Sequence, residues 1–218
     1  PEELLDTFSS SFSMRYIRQD DDGYRLSEIR NKGVAASSHE QIIILDCDML
    51  PLPSLVESYM KYAHVSKKAV LIGGRRYVNT DDVTYEDILL DINSAASLPS
   101  LRTDTGQVPT NGLPPSEDWR YKIYRATNNL KDSKYPFRAF CGGNVCFNKH
   151  LIETVGGFDE DFTAWGAEDT EFGYRVYNHG FWLIPVEGAG ALHQEPPHGS
   201  NETDRDAGKA ITEPILVE

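Results

Sequence analysis

The feature that most constrains this chain is the stretch QIIILDCDMLP, residues 41–51. Ile42 to Leu45 are four consecutive aliphatic residues, three of them β-branched. Such a run has no polar face and reads as a strand covered on both sides. A strand of that kind demands a layer above and a layer below, which points to an α/β sandwich. The run ends directly in Asp46-Cys47-Asp48. In open α/β sheets ligands bind beyond the carboxyl ends of the strands. Two carboxylates one residue apart at that place can give one group to a divalent cation and the other to a sugar or ribose hydroxyl. Taken alone, the triplet is equally a polar turn closing a core strand.

Strand and helix signals alternate along the rest of the chain. Residues 42–46 and 68–78 read as strands, and 53–66 as a helix with proline in its first turn. Helices are expected over 85–96 and 117–130, and a glycine-interrupted strand over 138–149. A short helix follows at 150–157 and a longer one at 166–180, each ending at glycine. FWLIPV and GALHQEPP read as two short strands. This order predicts an α/β fold with a mixed, mostly parallel sheet flanked by helices. Residues 97–118 form a long Pro/Gly-bearing connection, expected to be acceptor-side or mobile. The 218 residues suit one domain, whose preamble before residue 41 suggests that the first βα segment of a nucleotide-binding unit is missing.

Composition removes several classes of function. A net charge of −13 disfavours a nucleic-acid surface, which needs clustered Lys and Arg. No apolar run approaches a membrane span and no signal peptide is visible, so a cytoplasmic setting, peripheral at an inner membrane, is expected. The three cysteines, Cys47, Cys141 and Cys146, suit a reducing compartment better than a disulfide framework or a zinc site.

Three further segments bear chemistry. In GGFDEDFTAWGAEDTEFGYR, Glu168 and Asp169 open a predicted helix, whose dipole attracts carboxylates to that end. Asp169 is a candidate general base there, and an acidic cap is the plainer alternative. Phe172 and Val176 would face the core, and Glu171 and Arg175 would pair on another face. In ALHQEPP, His193 is either a structural histidine or an imidazole ligand favouring Mn2+ over Mg2+. In CGGNVCF, the glycines before Asn144 allow either a close backbone approach to a ligand or a bulge.

Together these segments resemble the nucleotide-sugar glycosyltransferases of the GT-A fold. They resemble more closely the N-acetylhexosaminyl-transferring domain of bacterial chondroitin and hyaluronan-type polymerases, which build capsule polysaccharide. The likeness is carried by YIRQDDDGYRLSEIRN, LDCDM, EDWR, PFRAFCGGN, WGAEDTEFGYR and HQEPPHGSNETDRDAGK, spread over nearly the whole chain.

What the resemblance implies is an inverting, metal-dependent transfer of N-acetylgalactosamine or N-acetylglucosamine from a UDP-sugar to a glucuronate-ended glycan. Asp48 and His193 would hold Mn2+, with Mg2+ as an alternative. Asp46 and Cys47 would lie at the donor, as would Arg30 and Asn31. Gly143, Asn144 and Trp165 would line the donor–acceptor junction. Asp169 would be the base, with Glu168 beside it. Arg75, Arg76, Arg102, Arg120 and Arg138 are candidates to meet acceptor carboxylates. The segment that holds uracil in typical members is missing, which predicts weak UDP binding. Ala167 stands where many members have glycine, which would narrow the acceptor path. One unit of this kind adds one sugar type, so a second transferase domain or subunit is implied for an alternating polymer. A galactosyl- or glucosyltransferase of the same fold, or a non-catalytic carbohydrate-binding scaffold, are the competing readings.

Overall fold

The computed structural model describes residues 12–78, 84–91, 118–194 and 205–217. Its centre is a five-stranded sheet in the order β1-β4-β3-β5-β2. The strands are β1 (Gln41–Leu45), β2 (Met49–Pro51), β3 (Ala69–Val78), β4 (Asn144–Asn148) and β5 (Trp182–Gln194). Around them run α1 (Leu26–Ala36), α2 (Leu55–Ala63), α3 (Tyr85–Leu90), α4 (Arg120–Ala126), α5 (His150–Val155), α6 (Glu168–Asn178) and α7 (Arg205–Val217). Pro136–Ala139 forms a single 3-10 turn.

Both faces of the sheet are covered, as the aliphatic run requires. Val70, Ile72, Val145 and Phe147 pack on one side with Phe140, Leu151, Phe158, Phe172 and Val176. Leu71 and Cys146 face the other side, against Leu55, Tyr59 and Ala63 of α2. The expected core positions of α6, Phe172 and Val176, are fully buried. Arg175 pairs with Glu171 and also donates to the carbonyls of Val155 and Gly157, at 2.9 Å each.

The α/β sandwich is present, but its strands are not mostly parallel. Among the described residues β3–β5 is parallel, whereas β1–β4, β4–β3 and β2–β5 are antiparallel. The reason lies in residues 136–143. That segment returns through the 3-10 turn and the glycine pair, so β4 starts beside the end of β1, with Asn144 opposite Leu45 and Val145 opposite Ile72 in the middle of β3. Alternation of strands and helices carries no information about that crossing.

Other boundaries also differ. The two short strands expected near the C-terminal end are one strand, β5, with a shift in register opposite Gly73–Arg75. The first half of the expected 138–149 strand is the turn and the glycine pair. Helices α1 and α7 fall where no element was expected. Residues 97–117, and most of the proline-rich tract after Gln194, lie outside the described residues, as does Arg102.

Candidate active site

The C-terminal ends of β1, β3 and β5 open into a cleft of about 1180 Å³. The register of the sheet brings Asp48 and His193 together in it. The turn after β1 is closed by the Met49 amide donating to the Asp46 carbonyl at 3.0 Å. It leads into β2, where Met49 lies opposite His193 of β5. The Gln194 amide donates to the Asp48 carbonyl at 2.9 Å, and Asp48 Oδ2 then lies 3.3 Å from His193 Nε2. On its other side His193 is paired with Tyr77 of β3, the two rings 4.6 Å apart.

These two side chains fit a divalent cation. Asp48 Oδ1 is buried without a hydrogen-bond partner, an expensive state for a carboxylate oxygen that a cation relieves. One carboxylate oxygen and one imidazole nitrogen at this spacing form a donor pair that a divalent cation can accept. No group of three or more His, Cys, Asp or Glu ligands occurs among the described residues. Further ligands to such an ion would come from water or substrate oxygens.

The second half of the site is organised by Arg30 of α1. Its guanidinium donates to Asp46 Oδ1 and to Asp169 Oδ1, both at 3.0 Å, and reaches Glu168 Oε1 at 3.5 Å. It also lies over the Phe158 ring, 5.3 Å from the centroid. Burial works to lower its pKa, but Asp169 and Asp46 outweigh burial and hold it above the ordinary arginine value. One cation thus ties the strand carrying the Asp-x-Asp triplet to the start of α6.

The floor between these groups is Cys141-Gly142-Gly143. A Cβ on Gly142 would stand 2.7 Å from both Arg30 Nη1 and Asp169 Oδ1, and one on Gly143 would stand 2.5 Å from Asp46 Oδ2. A side chain at either place would push these groups off the backbone on which they rest. The Asp46 amide donates to the Gly143 carbonyl at 3.0 Å, extending the β1–β4 ladder by one bond.

Glu168 and Asp169 differ in setting. The Glu168 side chain is 7% exposed and that of Asp169 is 26%, so Asp169 is the one open to a ligand. Burial, reinforced by the Asp169 charge, pushes the Glu168 carboxyl up to about 7. The turn before them is unusual: Gly166 has φ 109° and Ala167 φ 69°. Ala167 therefore occupies the left-handed region, where a Cβ is disfavoured. Trp165 lies in the cleft wall, covered by Arg205 and Lys209 of α7, with cation-to-ring distances of 5.0 and 5.7 Å. Gly208 permits that contact, since a Cβ there would come within 2.6 Å of the Trp165 carbonyl.

Of the residues singled out from the sequence, Arg30, Asp46, Cys47, Asp48, Trp165, Glu168, Asp169 and His193 line this one cleft, and Gly143 supports it from beneath. Asn31 and Asn144 do not line it. Asn31 Nδ2 donates to the Phe158 carbonyl and to Glu160, and its Oδ1 accepts the Phe158 amide, all at 2.8 Å. Asn144 is buried and accepts from the Tyr59 hydroxyl at 2.7 Å. Its amide also donates to the carbonyls of Gly74 and Ala189, at 2.9 Å each. Those carbonyls are exposed by the register shift between β3 and β5, so Asn144 repairs the ladder instead of meeting a ligand.

Arg120 is likewise removed from any ligand. It is fully buried and bound to Asp118. Of the arginines singled out from the sequence, Arg75 and Arg138 also line the cleft, whereas Tyr77, Tyr24, Cys141 and Arg205 are cleft residues that the sequence did not assign to a site. For Tyr77, two residues after Arg75 on the same strand, the alternation of β3 offered a signal.

A family model described as "Glycosyl transferase family 2" matches residues 1–152. The chain belongs to glycosyl transferase family 2. A second model, "N-terminal domain of galactosyltransferase", matches residues 122–193 of this family 2 chain. The chain is 45% identical over 218 residues to the chondroitin synthase of Escherichia coli, covering 99% of itself and 31% of that protein. It is 39% identical over 215 residues to the hyaluronan synthase of Pasteurella multocida, covering 99% of itself and 22% of the relative. The family 2 chain thus spans under a third of the length of these relatives. Among solved structures, GalNAc-T7 with UDP, GalNAc and Mn2+ matches with a TM-score of 0.55 at 15% identity, over 86% of this chain and 34% of that one. At that identity the likeness shows the fold, a GT-A glycosyltransferase fold. No described helix is long and apolar enough to cross a membrane.

Proposed function

We propose that the cleft transfers an N-acetylhexosamine, N-acetylgalactosamine or N-acetylglucosamine, from a UDP-sugar to a glucuronate-ended glycan, with inversion at the anomeric carbon. The carrying observation is the convergence, in one cleft, of the Asp48–His193 pair with the Arg30-bound carboxylates Asp46 and Asp169. Asp48 and His193 would hold Mn2+. When bound, that ion neutralises the charge gathering on the departing diphosphate. Asp46, fixed by Arg30 and the Gly143 carbonyl, faces the donor and orients its hydroxyls. Asp169, the more open of the two acids on α6, accepts the proton of the acceptor hydroxyl as it attacks. Glu168 holds Arg30 from behind and shapes the acceptor side. The role of the protein in the step is to align both partners and keep the proton acceptor beside the attacking oxygen.

The identities to chondroitin and hyaluronan synthases favour a hexosamine donor and a uronate-bearing acceptor. In this reading residues 1–218 act as a single transferase domain adding one kind of sugar, working with a second transferase activity at the inner face of a bacterial membrane. The match of residues 122–193 to a galactosyltransferase model supports a second reading, a galactose or glucose donor. A panel of UDP-sugars assayed by UDP release, with Mn2+, Mg2+ and EDTA, decides between them. The proposal expects turnover with a UDP-N-acetylhexosamine that EDTA abolishes and Mn2+ restores. Turnover with UDP-galactose or UDP-glucose alone, or turnover insensitive to EDTA, would contradict it.

A further inference from the structure

The cleft carries a second centre of positive charge, built separately from Arg30. Asp118 has a side chain with no exposed surface, and two arginines share it. Arg120 donates from Nε and Nη2 to Asp118, the latter at 2.8 Å, and from Nη2 to the Gly73 carbonyl at 3.3 Å. Arg75 donates from Nε to Asp118 Oδ2 at 3.0 Å. Burial would raise the Asp118 carboxyl, but the two arginines overcome it and hold the group below the usual carboxylate range. Burial also raises the thiol of neighbouring Cys141, which therefore stays neutral. Two guanidinium charges against one carboxylate leave a net charge of +1.

Among the described residues, that charge reaches the cleft through Arg75. The Arg120 side chain is 2% exposed and committed, whereas that of Arg75 is 16% exposed and lines the cleft. Arg75 sits between the two halves of the site. Its guanidinium lies 5.2 Å from the centre of the Tyr77 ring, which packs at a tilt against His193. Toward the other half it adjoins Cys141, whose chain continues through Gly142 under Asp169. A partly buried cation with half its charge balance missing is costly to keep without an anionic ligand.

We infer that Arg75, backed by the Asp118–Arg120 pair, is a carboxylate-recognition subsite of the cleft that reads an acidic sugar of the acceptor. This rests on the transferase reading above and names the residue that would read the acidic group of its acceptor. A UDP-N-acetylhexosamine has no anion apart from its diphosphate, and the diphosphate would be met by the cation that Asp48 and His193 are proposed to hold. The anion left for Arg75 is therefore on the acceptor. A planar guanidinium also suits a carboxylate, which it can grip with two parallel hydrogen bonds.

The test compares two acceptors that differ only in this group: a glucuronate-ended oligosaccharide and the same oligosaccharide with its carboxylate reduced to a primary alcohol. Each is assayed with the wild-type protein and with Arg75→Gln. That variant leaves Asp118 with Arg120 as a neutral pair, so the buried cluster keeps its balance. The wild type is expected to favour the acid by roughly 10- to 100-fold in kcat/KM, the range of a hydrogen bond to a charged group. In Arg75→Gln that ratio should collapse toward 1, with the KM for the UDP-sugar little changed. Equal use of both acceptors by the wild type overturns the inference while leaving the transferase reading intact, whatever the variant does. So does a variant that slows both acceptors in proportion, or one whose main effect is on the UDP-sugar KM, which would assign Arg75 to the diphosphate. Transfer to neither acceptor removes the transferase reading and this inference together.

Discussion

Arg30 holds Asp46 and Asp169 at the same distance, 3.0 Å, from two nitrogens of one guanidinium, although the two acids are 123 positions apart in the chain. The end of β1 and the start of α6 are therefore set relative to each other by a single buried cation. Removing it leaves three acids facing one another. Arg30→Gln is expected to destabilise the fold by about 3–5 kcal/mol, the usual result of breaking a buried ion pair from one side. Arg30→Lys keeps the charge but cannot span both acids, so it should recover much of the stability and little of the turnover. Urea unfolding and UDP-release assays on both variants check this. Equal activity in Arg30→Lys and the wild type would count against the bridging role.

Glu168 gives a pH signature. Its folded pKa is raised from an ordinary carboxylate value to about 7 by burial and by Asp169. The folded state therefore binds this proton more tightly than the unfolded state. The resulting stability is complete below about 4.5 and is lost as pH rises through about 7, a change of at most ~3 kcal/mol. Glu168→Gln removes the titration and leaves Arg30 its two 3.0 Å partners. The variant should melt above the wild type at pH 8 and no higher at pH 5. A constant difference between the two melting temperatures across that range would refute the assignment.

Ala167 is a site of backbone strain. At φ 69° it carries a Cβ in the left-handed region, at a cost of roughly 1–2 kcal/mol. Ala167→Gly should raise stability by about 1 kcal/mol in chemical denaturation, because the glycine enters that region without penalty. A loss of stability would mean that the turn before α6 is held by something other than its backbone preference.

The Asp48–His193 pair predicts a linked loss of metal and nucleotide. Asp48→Asn and His193→Ala should each weaken Mn2+-dependent UDP binding at least roughly tenfold in calorimetric titration, with the circular dichroism spectrum unchanged. UDP binding that is the same with and without Mn2+ in the wild type would remove the cation from the site.

How much of this was legible in the residues depended on range. Local chemistry was readable: the aliphatic run gave a strand packed on both faces, although it lies at the sheet edge with only Ile42 buried. The 3.6-residue period placed Phe172 and Val176 in the core and Glu171 beside Arg175. The convergence of Asp48, His193 and Asp169 came from resemblance, since no local rule states which strand ends meet. Strand direction was not readable, because it depends on residues 136–143 staying at the cleft end of the sheet. Asn144 was misread for a related reason. Its partners, the carbonyls of Gly74 and Ala189, become available only through a register shift between strands far apart in sequence. Helix α7 was hidden by Gly208 and Pro214, both poor helix formers, and it is anchored by contacts to Trp165. The Asp118–Arg120 pairing is only two residues apart, yet its meaning depends on Arg75 arriving from β3.

The most direct test of the account is Asp169→Asn, measured two ways on the same preparation. UDP-sugar turnover with Mn2+ and an acidic glycan acceptor is expected to fall by roughly 10²- to 10⁴-fold, the share of a general base. Metal-dependent UDP binding should stay within about twofold of the wild type, because Asp169 lies on the other side of Arg30 from Asp46. Turnover near the wild-type rate in that variant, with binding intact, would show that the proton leaves by another route and that the cleft does not work as described.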